Sequence, residues 1–235
     1  SEYNGRVGGW ITINAINWRR SQMSNRPKII CFEGIDASGK ETQVRVLASK
    51  LKEMGFRVAT VSFPRYETEI GRLIKKGLKK EIPMSDETLH GLLELDRYDF
   101  LETLGSFRNY DFLIFDRFTL SNLAFGLAKG IDINWIKEMQ KRLPTPDLTF
   151  VLDITAETSY KRKSKSCNLQ ELDKHELDSS LLNRARVAYL VLAKKLSEMD
   201  GEDQLIYVID ANVNPAEVHE MVMDIVRLVF LTNES

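Results

Sequence analysis

Residues Phe32 to Gln43 read FEGIDASGKETQ, and the fold follows from what these residue types do together. Before them, Lys28-Ile29-Ile30-Cys31-Phe32 is a short apolar run suited to a strand covered on both faces. After them, Thr42 to Met54 carries Val44, Val46, Leu47, Leu51 and Met54 at helical spacing and stops at Gly55, a C-cap residue. Gly34 and Gly39 bracket the turn. Glycines let the backbone curl so that successive N–H groups and the helix N-terminus point at one spot, an anion cradle. Lys40 adds a point charge for terminal phosphates. A chance glycine-rich turn is the bland alternative, but GxxxxGK between strand and helix is a specific sign of nucleotide phosphate binding. One position departs from the pattern: Glu41 stands where a Ser or Thr hydroxyl would reach Mg2+, with Thr42 one place later. Either Thr42 takes that part after a small shift, or the ion is held by water and carboxylates. Glu41 is also a favourable charge for the first helical turn.

The chain has 235 residues, 43% hydrophobic and 29% charged, with a formal net charge of −1. That length suits one large α/β domain, and the balanced charge supports neither a nucleic-acid carrier nor a polybasic membrane anchor. No apolar run approaches the ~20 residues that span a bilayer. Cys31 reads as a small buried hydrophobe, and Cys167 lies in a charged stretch. Neither has metal-type spacing and two cysteines make no disulfide framework, so a reducing, cytoplasmic compartment is expected. Residues 1–22 read as a leader left over from cloning ahead of a natural start at Met23. The alternative is an arm, in which the alternation of Trp10 to Ile16 adds an edge strand or docks on a neighbour. Residues 23–235 read as a single domain.

Further strands are expected at Arg57 to Phe63, Asp111 to Phe115, Asp147 to Ile154 and Leu205 to Ala211. Helices are expected at Thr68 to Leu78, Ser85 to Phe107, Phe118 to Lys129 and Asp132 to Leu143. Thr155 to Ser164, Leu181 to Met199 and a last helix opened by Asn214-Pro215 complete the set. Ser166 to Ser179 lacks periodicity and reads as mobile. Strands alternating with helices give a parallel sheet with right-handed crossovers. Phe63-Pro64-Arg65 and Asp116-Arg117 fall at strand carboxyl ends, where open α/β sheets bind ligands.

Taken together the landmarks resemble the thymidylate kinase family, nucleoside-monophosphate kinases of the P-loop type. FEGIDASGKETQ, FPRYETEIGRLIKKGL, the pair Asp96-Arg97, DRFTLSNLAF, PTPDLTFVLD and DKHE before RARVAYLVLA occur in the family's order and cover Lys28 to about Phe230. The resemblance implies a three-layer P-loop NTPase fold with a five-stranded parallel sheet flanked by helices. It also implies a mobile lid, here around residues 161–179, and a homodimer. The implied reaction is transfer from ATP, with Mg2+, to thymidine 5′-monophosphate (dTMP).

Phosphoryl transfer between anions needs positive charge and alignment. Lys40 and the loop residues Gly34 and Ala37, Ser38, Gly39, Glu41 and Thr42 are expected to hold ATP, and Arg97 the acceptor phosphate. Arg117 would sit between donor and acceptor, with Asp116 orienting Mg2+ or its waters. Arg65 would face the acceptor phosphate, and Asp36, by resemblance, the deoxyribose 3′-hydroxyl. Family members carry a catalytic arginine in the loop or basic residues in the lid; Ala37 fills the loop position here, so the run Lys161, Arg162, Lys163, Lys165 implies the lid-arginine kind, with Arg162 as the lid cation. Leu93 stands where relatives stack a Phe on thymine. Phe63 or Phe125 would then supply a ring, and Ser121 and Asn122 hydrogen bonds to the pyrimidine edge. These departures leave room for dUMP or a 5-modified deoxyuridine monophosphate as acceptor. Glu41 leaves room for a nucleotide-binding regulator without turnover.

Overall fold

A computed structural model describes residues 26–164, 175–198 and 204–231. Its five strands are β1 Lys28–Glu33, β2 Val58–Ser62, β3 Phe112–Asp116, β4 Leu148–Asp153 and β5 Leu205–Asp210. They form one sheet in the order β2-β3-β1-β4-β5, and every pairing is parallel. The helices are α1 Lys40–Glu53, α2 Glu69–Leu78, α3 Asp86–Leu104, α4 Thr119–Lys129, α5 Ile133–Gln140, α6 Ala156–Ser164, α7 His175–Ser197 and α8 Pro215–Val226.

The three layers follow from strand alternation. Ile30, Phe32, Phe112 and Ile114 pack with Val44, Leu47 and Leu51 of α1 and Val218 and Val222 of α8. Their neighbours Ile29, Cys31, Leu113 and Phe115 pack with Phe63, Phe100 and Phe118 in a second cluster. Successive side chains of the central strands thus feed different cores, which is why those strands read as unbroken apolar runs. Cys31 is buried, as its place in the first strand suggested.

Several boundaries differ from expectation. α3 ends at Leu104 and continues as a 3-10 turn over Gly105–Phe107; α5 stops at Gln140. α7 begins at His175, ahead of Leu181 and inside the stretch expected to be mobile. Residues 1–25 and 165–174, and with them the proposed leader and most of the lid, lie outside the described residues.

The strand order reverses around β1. Its carboxyl end therefore opens on a crevice between β3 and β4, the usual ligand position in such sheets. Glu33, Asp116 and Asp153 close these three strands, and register sets Phe32 beside Asp116.

Candidate active site

The loop after β1 is built for an anion. Gly39, at φ 94°, precedes α1 in the left-handed region, and no side chain caps that helix. By contrast Thr68, Ser85 and Asn214 cap α2, α3 and α8 through their side-chain oxygens. The first N–H groups of α1 are thus left for a ligand. Gly34, at φ 136°, is also sterically required, since a Cβ there would lie 2.5 Å from the Leu152 carbonyl oxygen. Gly34→Ala is expected to destabilise the fold by about 3 kcal/mol through backbone strain and overpacking. For a chain of this size that is a fall of roughly 6–12 °C in melting temperature, readable by calorimetry; an unchanged value would show that β4 yields at this contact.

Lys40 is buried, and its ammonium donates to the Ile35 carbonyl at 2.8 Å and to Ser38 Oγ at 3.2 Å. Burial, then repulsion from Arg117, pulls its pKa down to about 7 against the opposing pull of Asp116 and Asp36. A lysine held this way gains its full charge once phosphate oxygens arrive.

Arg117 is the hub. It follows β3 with φ 65°, a left-handed conformation that turns its side chain back over the loop. Its backbone N–H donates to Phe32 O at 2.9 Å. One terminal nitrogen donates to Gly34 O at 2.9 Å and Ser121 Oγ at 3.2 Å, the other to Asp36 Oδ1 at 2.7 Å. The guanidinium lies over the Phe125 ring, 5.6 Å from its centroid. Burial acts to raise the Asp36 pKa, but Arg117 and then Lys163, 2.9 Å away, outweigh it and hold it at about 2.

Beneath Arg117 lies a carboxylate that sequence reasoning missed. Glu33 is fully buried and accepts from Phe118 N at 2.8 Å, from Ser121 Oγ and from Tyr189 OH at 3.3 Å. Tyr189, on α7, also meets Ser121 Oγ at 2.8 Å. The sequence signal for Glu33 was an acid closing an otherwise apolar buried strand; Tyr189 carried none beyond its place on an apolar helix face. Ser121, expected at the pyrimidine edge, is held in this network instead.

Three other residues sit differently from expectation. Arg65, expected to face the acceptor phosphate, is buried against α3: its N–H and Nε each donate to Asp96 at 3.0 Å, and Nη2 reaches Asp99 at 2.6 Å. A buried arginine needs such a partner, and Asp96 supplies it. Phe63, considered as a ring for the base, is buried in the aromatic cluster, with Phe118 at 5.3 Å and Phe100 at 5.4 Å. Arg97, expected to clamp the phosphate, is buried, with its guanidinium over the faces of Phe63 and Phe118. Its terminal nitrogens donate to Leu93 O and Phe118 O, leaving Nε without a partner. Leu93 and Phe125 are half-buried nearby, and Asn122 is buried.

From the basic run, Arg162 reaches the loop, donating to Ala37 O at 3.2 Å and to Ala211 O at 2.8 Å. Lys161 pairs with Glu157 on the surface, and Lys165 lies outside the described residues. For a cation, Asp116 offers Oδ1, buried and without a hydrogen-bond partner. Among the described residues no group of three or more His, Cys, Asp or Glu is placed to hold a metal. One carboxylate beside a phosphate cradle suits Mg2+, which keeps its waters and takes further oxygens from phosphates. Glu41 is exposed and Thr42 half-buried at the start of α1. Among the described residues, no helix is long and apolar enough to cross a membrane.

Comparison with known proteins points to one family. The family model for thymidylate kinase matches residues 32–222. A probable thymidylate kinase of Pyrococcus abyssi is 33% identical over 211 residues, covering 87% of this chain and 96% of its own. Thymidylate kinase of Schizosaccharomyces pombe is 28% identical over 204 residues, 86% of this chain and 92% of its own. Among solved structures, thymidylate kinase from Candida albicans, an enzyme of broad substrate specificity, superposes with a TM-score of 0.69 at 27% identity, covering 87% of this chain and 93% of its own.

Proposed function

The chain belongs to the thymidylate kinase family, and on that premise we propose how its residues move the γ-phosphoryl group of ATP to dTMP. A phosphate oxygen of dTMP attacks the γ-phosphorus, the bond from that phosphorus to the β–γ bridging oxygen breaks, and ADP leaves with the electron pair. The observation that carries the assignment is Arg117, held between Gly34 O of the loop and Asp36 Oδ1. One cation thereby touches the donor cradle and the group that receives the acceptor sugar.

Lys40 leaves Ile35 O and Ser38 Oγ for the β- and γ-phosphates, which also take the N–H groups of Gly34 and of Ala37 to Thr42. Arg117 bridges the transferring group, and Arg162 follows it from the lid. Asp36 accepts from the 3′-hydroxyl, while Phe125 packs against the sugar. Asn122 meets the pyrimidine edge, Leu93 gives apolar contact in place of a stacked ring, and Arg97 serves the base through Nε. Arg65 holds the turn after β2 against α3, fixing the wall of the acceptor cleft. Asp116, with Thr42 or water, would hold Mg2+, which when bound neutralises phosphate charge. A homodimer is supported by exposed Leu73 and Leu78 on α2 and Leu95 on α3, and sedimentation at micromolar concentration tests it. Buried, unpaired Cys31 is compatible with a cytoplasmic setting.

The deciding experiment is ADP release with ATP, Mg2+ and each of dTMP, dUMP, UMP, dCMP, dGMP and AMP. dTMP should be strongly preferred; preference for another acceptor would overturn the base assignment and keep the kinase. Arg97→Ala should raise the KM for dTMP by roughly 10–100-fold, the scale of one lost hydrogen bond to a charged group. The KM for ATP should stay within about threefold. An unchanged dTMP KM would remove Arg97 from the acceptor site.

A further inference from the structure

Four buried polar atoms without a well-formed hydrogen bond cluster in one place, His90 Nδ1, Glu94 Oε2, Arg97 Nε and Asn122 Oδ1, with the His90 ring within reach of the Asn122 side chain. The first three lie along one face of α3, and Asn122 lies opposite on α4. Buried polar atoms are nearly always satisfied, so a cluster of orphans calls for a ligand or bound water. Proximity ties them to the acceptor side: Arg97 donates to Phe118 O, and Asn122 follows Ser121, which bonds to Arg117.

The hydrogen bonds dictate which way the Asn122 amide faces. Its nitrogen donates to His90 O at 3.1 Å and to Glu94 Oε1 at 2.6 Å. Flipping the amide would set its oxygen against a carbonyl and a carboxylate, two acceptors. Glu94 is itself fixed, because Oε1 also accepts from Gln140 Nε2 at 2.5 Å, and Gln140 donates to Thr119 O at 3.0 Å. Glu94 is fully buried, and its free oxygen stands 4.0 Å from Arg97. The Asn122 oxygen is therefore locked as an acceptor and Arg97 Nε is left as a donor. An imide edge presents the matching pair, an N3–H donor beside a carbonyl. Cytosine instead presents a lone pair at N3.

We infer that Glu94 is a specificity-determining positioning residue, holding the Asn122 amide so that the cleft takes pyrimidine monophosphates that donate at N3 and rejects those that accept there. This rests on the assignment of the α3–α4 cleft to the acceptor base. Glu94 acts through Asn122 and touches no reacting atom. A carboxylate suits the task because it accepts from Asn122 and Gln140 at once and has no hydrogen to offer the wrong way.

The test measures calorimetric affinity of the full chain for dTMP, dUMP and dCMP, with turnover as a separate arm. The wild type should bind dTMP and dUMP well ahead of dCMP. Glu94→Met, close in volume, should lower the dTMP-to-dCMP affinity ratio by about 10–100-fold, since one fixed hydrogen bond is lost for one base and one repulsion relieved for the other. Glu94→Gln keeps an oxygen for both amides, so the ratio should stay within about threefold even if affinity for dTMP falls. Asn122→Ser, whose hydroxyl donates or accepts, should lower the ratio like Glu94→Met, and the double variant should match the single ones, because both act through one bond. A wild type that does not favour dTMP over dCMP, an unchanged ratio in Glu94→Met or Asn122→Ser, or a Glu94→Gln that collapses the ratio would each overturn the inference. If Glu94→Met does not fold, Asn122→Ser and Glu94→Gln still decide. A wild type that binds as expected yet releases no ADP would instead defeat the proposed reaction.

Discussion

Arg117→Ala is expected to lower kcat by about 10³-fold or more, the range seen when an arginine that stabilises phosphoryl transfer is removed. The expectation rests on placement. Arg117 touches the loop through Gly34 O and also holds Asp36, the proposed partner of the acceptor sugar, while Ser121 and Tyr189 brace it and are themselves held by Glu33. That bracing orients the group before substrates arrive, and preorganised charge is the main source of such rate gains. Arg117→Lys should recover little, because one ammonium does not span Gly34, Ser121 and Asp36 as a planar fork does. The loss should appear in single-turnover rates at saturating ATP and dTMP. A variant within tenfold of wild type would show that the lid cations carry the transfer.

Lys40→Ala is expected to cost about 10²–10³-fold in kcat, comparable to losing one preorganised donor to the developing charge. It should also abolish a proton signal. With the resting pKa pulled to about 7 by burial and Arg117, Lys40 is largely neutral at pH 8, and phosphate oxygens favour its charged form. ATP binding at pH 8 should therefore take up a proton, and uptake should shrink as pH falls below 7, where the lysine is already charged. Titration calorimetry in two buffers of different ionisation enthalpy reads this directly. Equal uptake by wild type and Lys40→Ala would assign the proton elsewhere.

The fold was legible because its signals are local. Buried parallel strands announce themselves as apolar runs, and β1 to β5 were located to within a residue or two. The loop was legible for the same reason, since Gly34, Gly39 and Lys40 act at fixed spacing. α7 was placed too late because its first turns are charged, and periodicity reveals a helix only where an apolar stripe packs. The proposed acceptor side was less legible because its meaning lies in partners distant in sequence. Arg65 looked free to meet a phosphate until folding placed Asp96 and Asp99 against it. Ser121 looked like a base reader until Glu33 and Tyr189 met it. Glu94 carried no signal in the sequence, and only the fold buries it.

The strand order has a consequence for how the chain comes into being. β1 emerges first, yet its two neighbours are β3 and β4, which follow much later. Pairings so far apart in sequence are slow to form, since the intervening loop must close before any contact rewards it. During synthesis, a chain that ends short of β4 has one open edge on β1 and lacks the Leu152 carbonyl against which Gly34 is fitted. ATP therefore has nothing finished to bind until β4 has left the ribosome. Nucleotide should protect the completed protein from proteolysis while leaving its nascent forms unprotected.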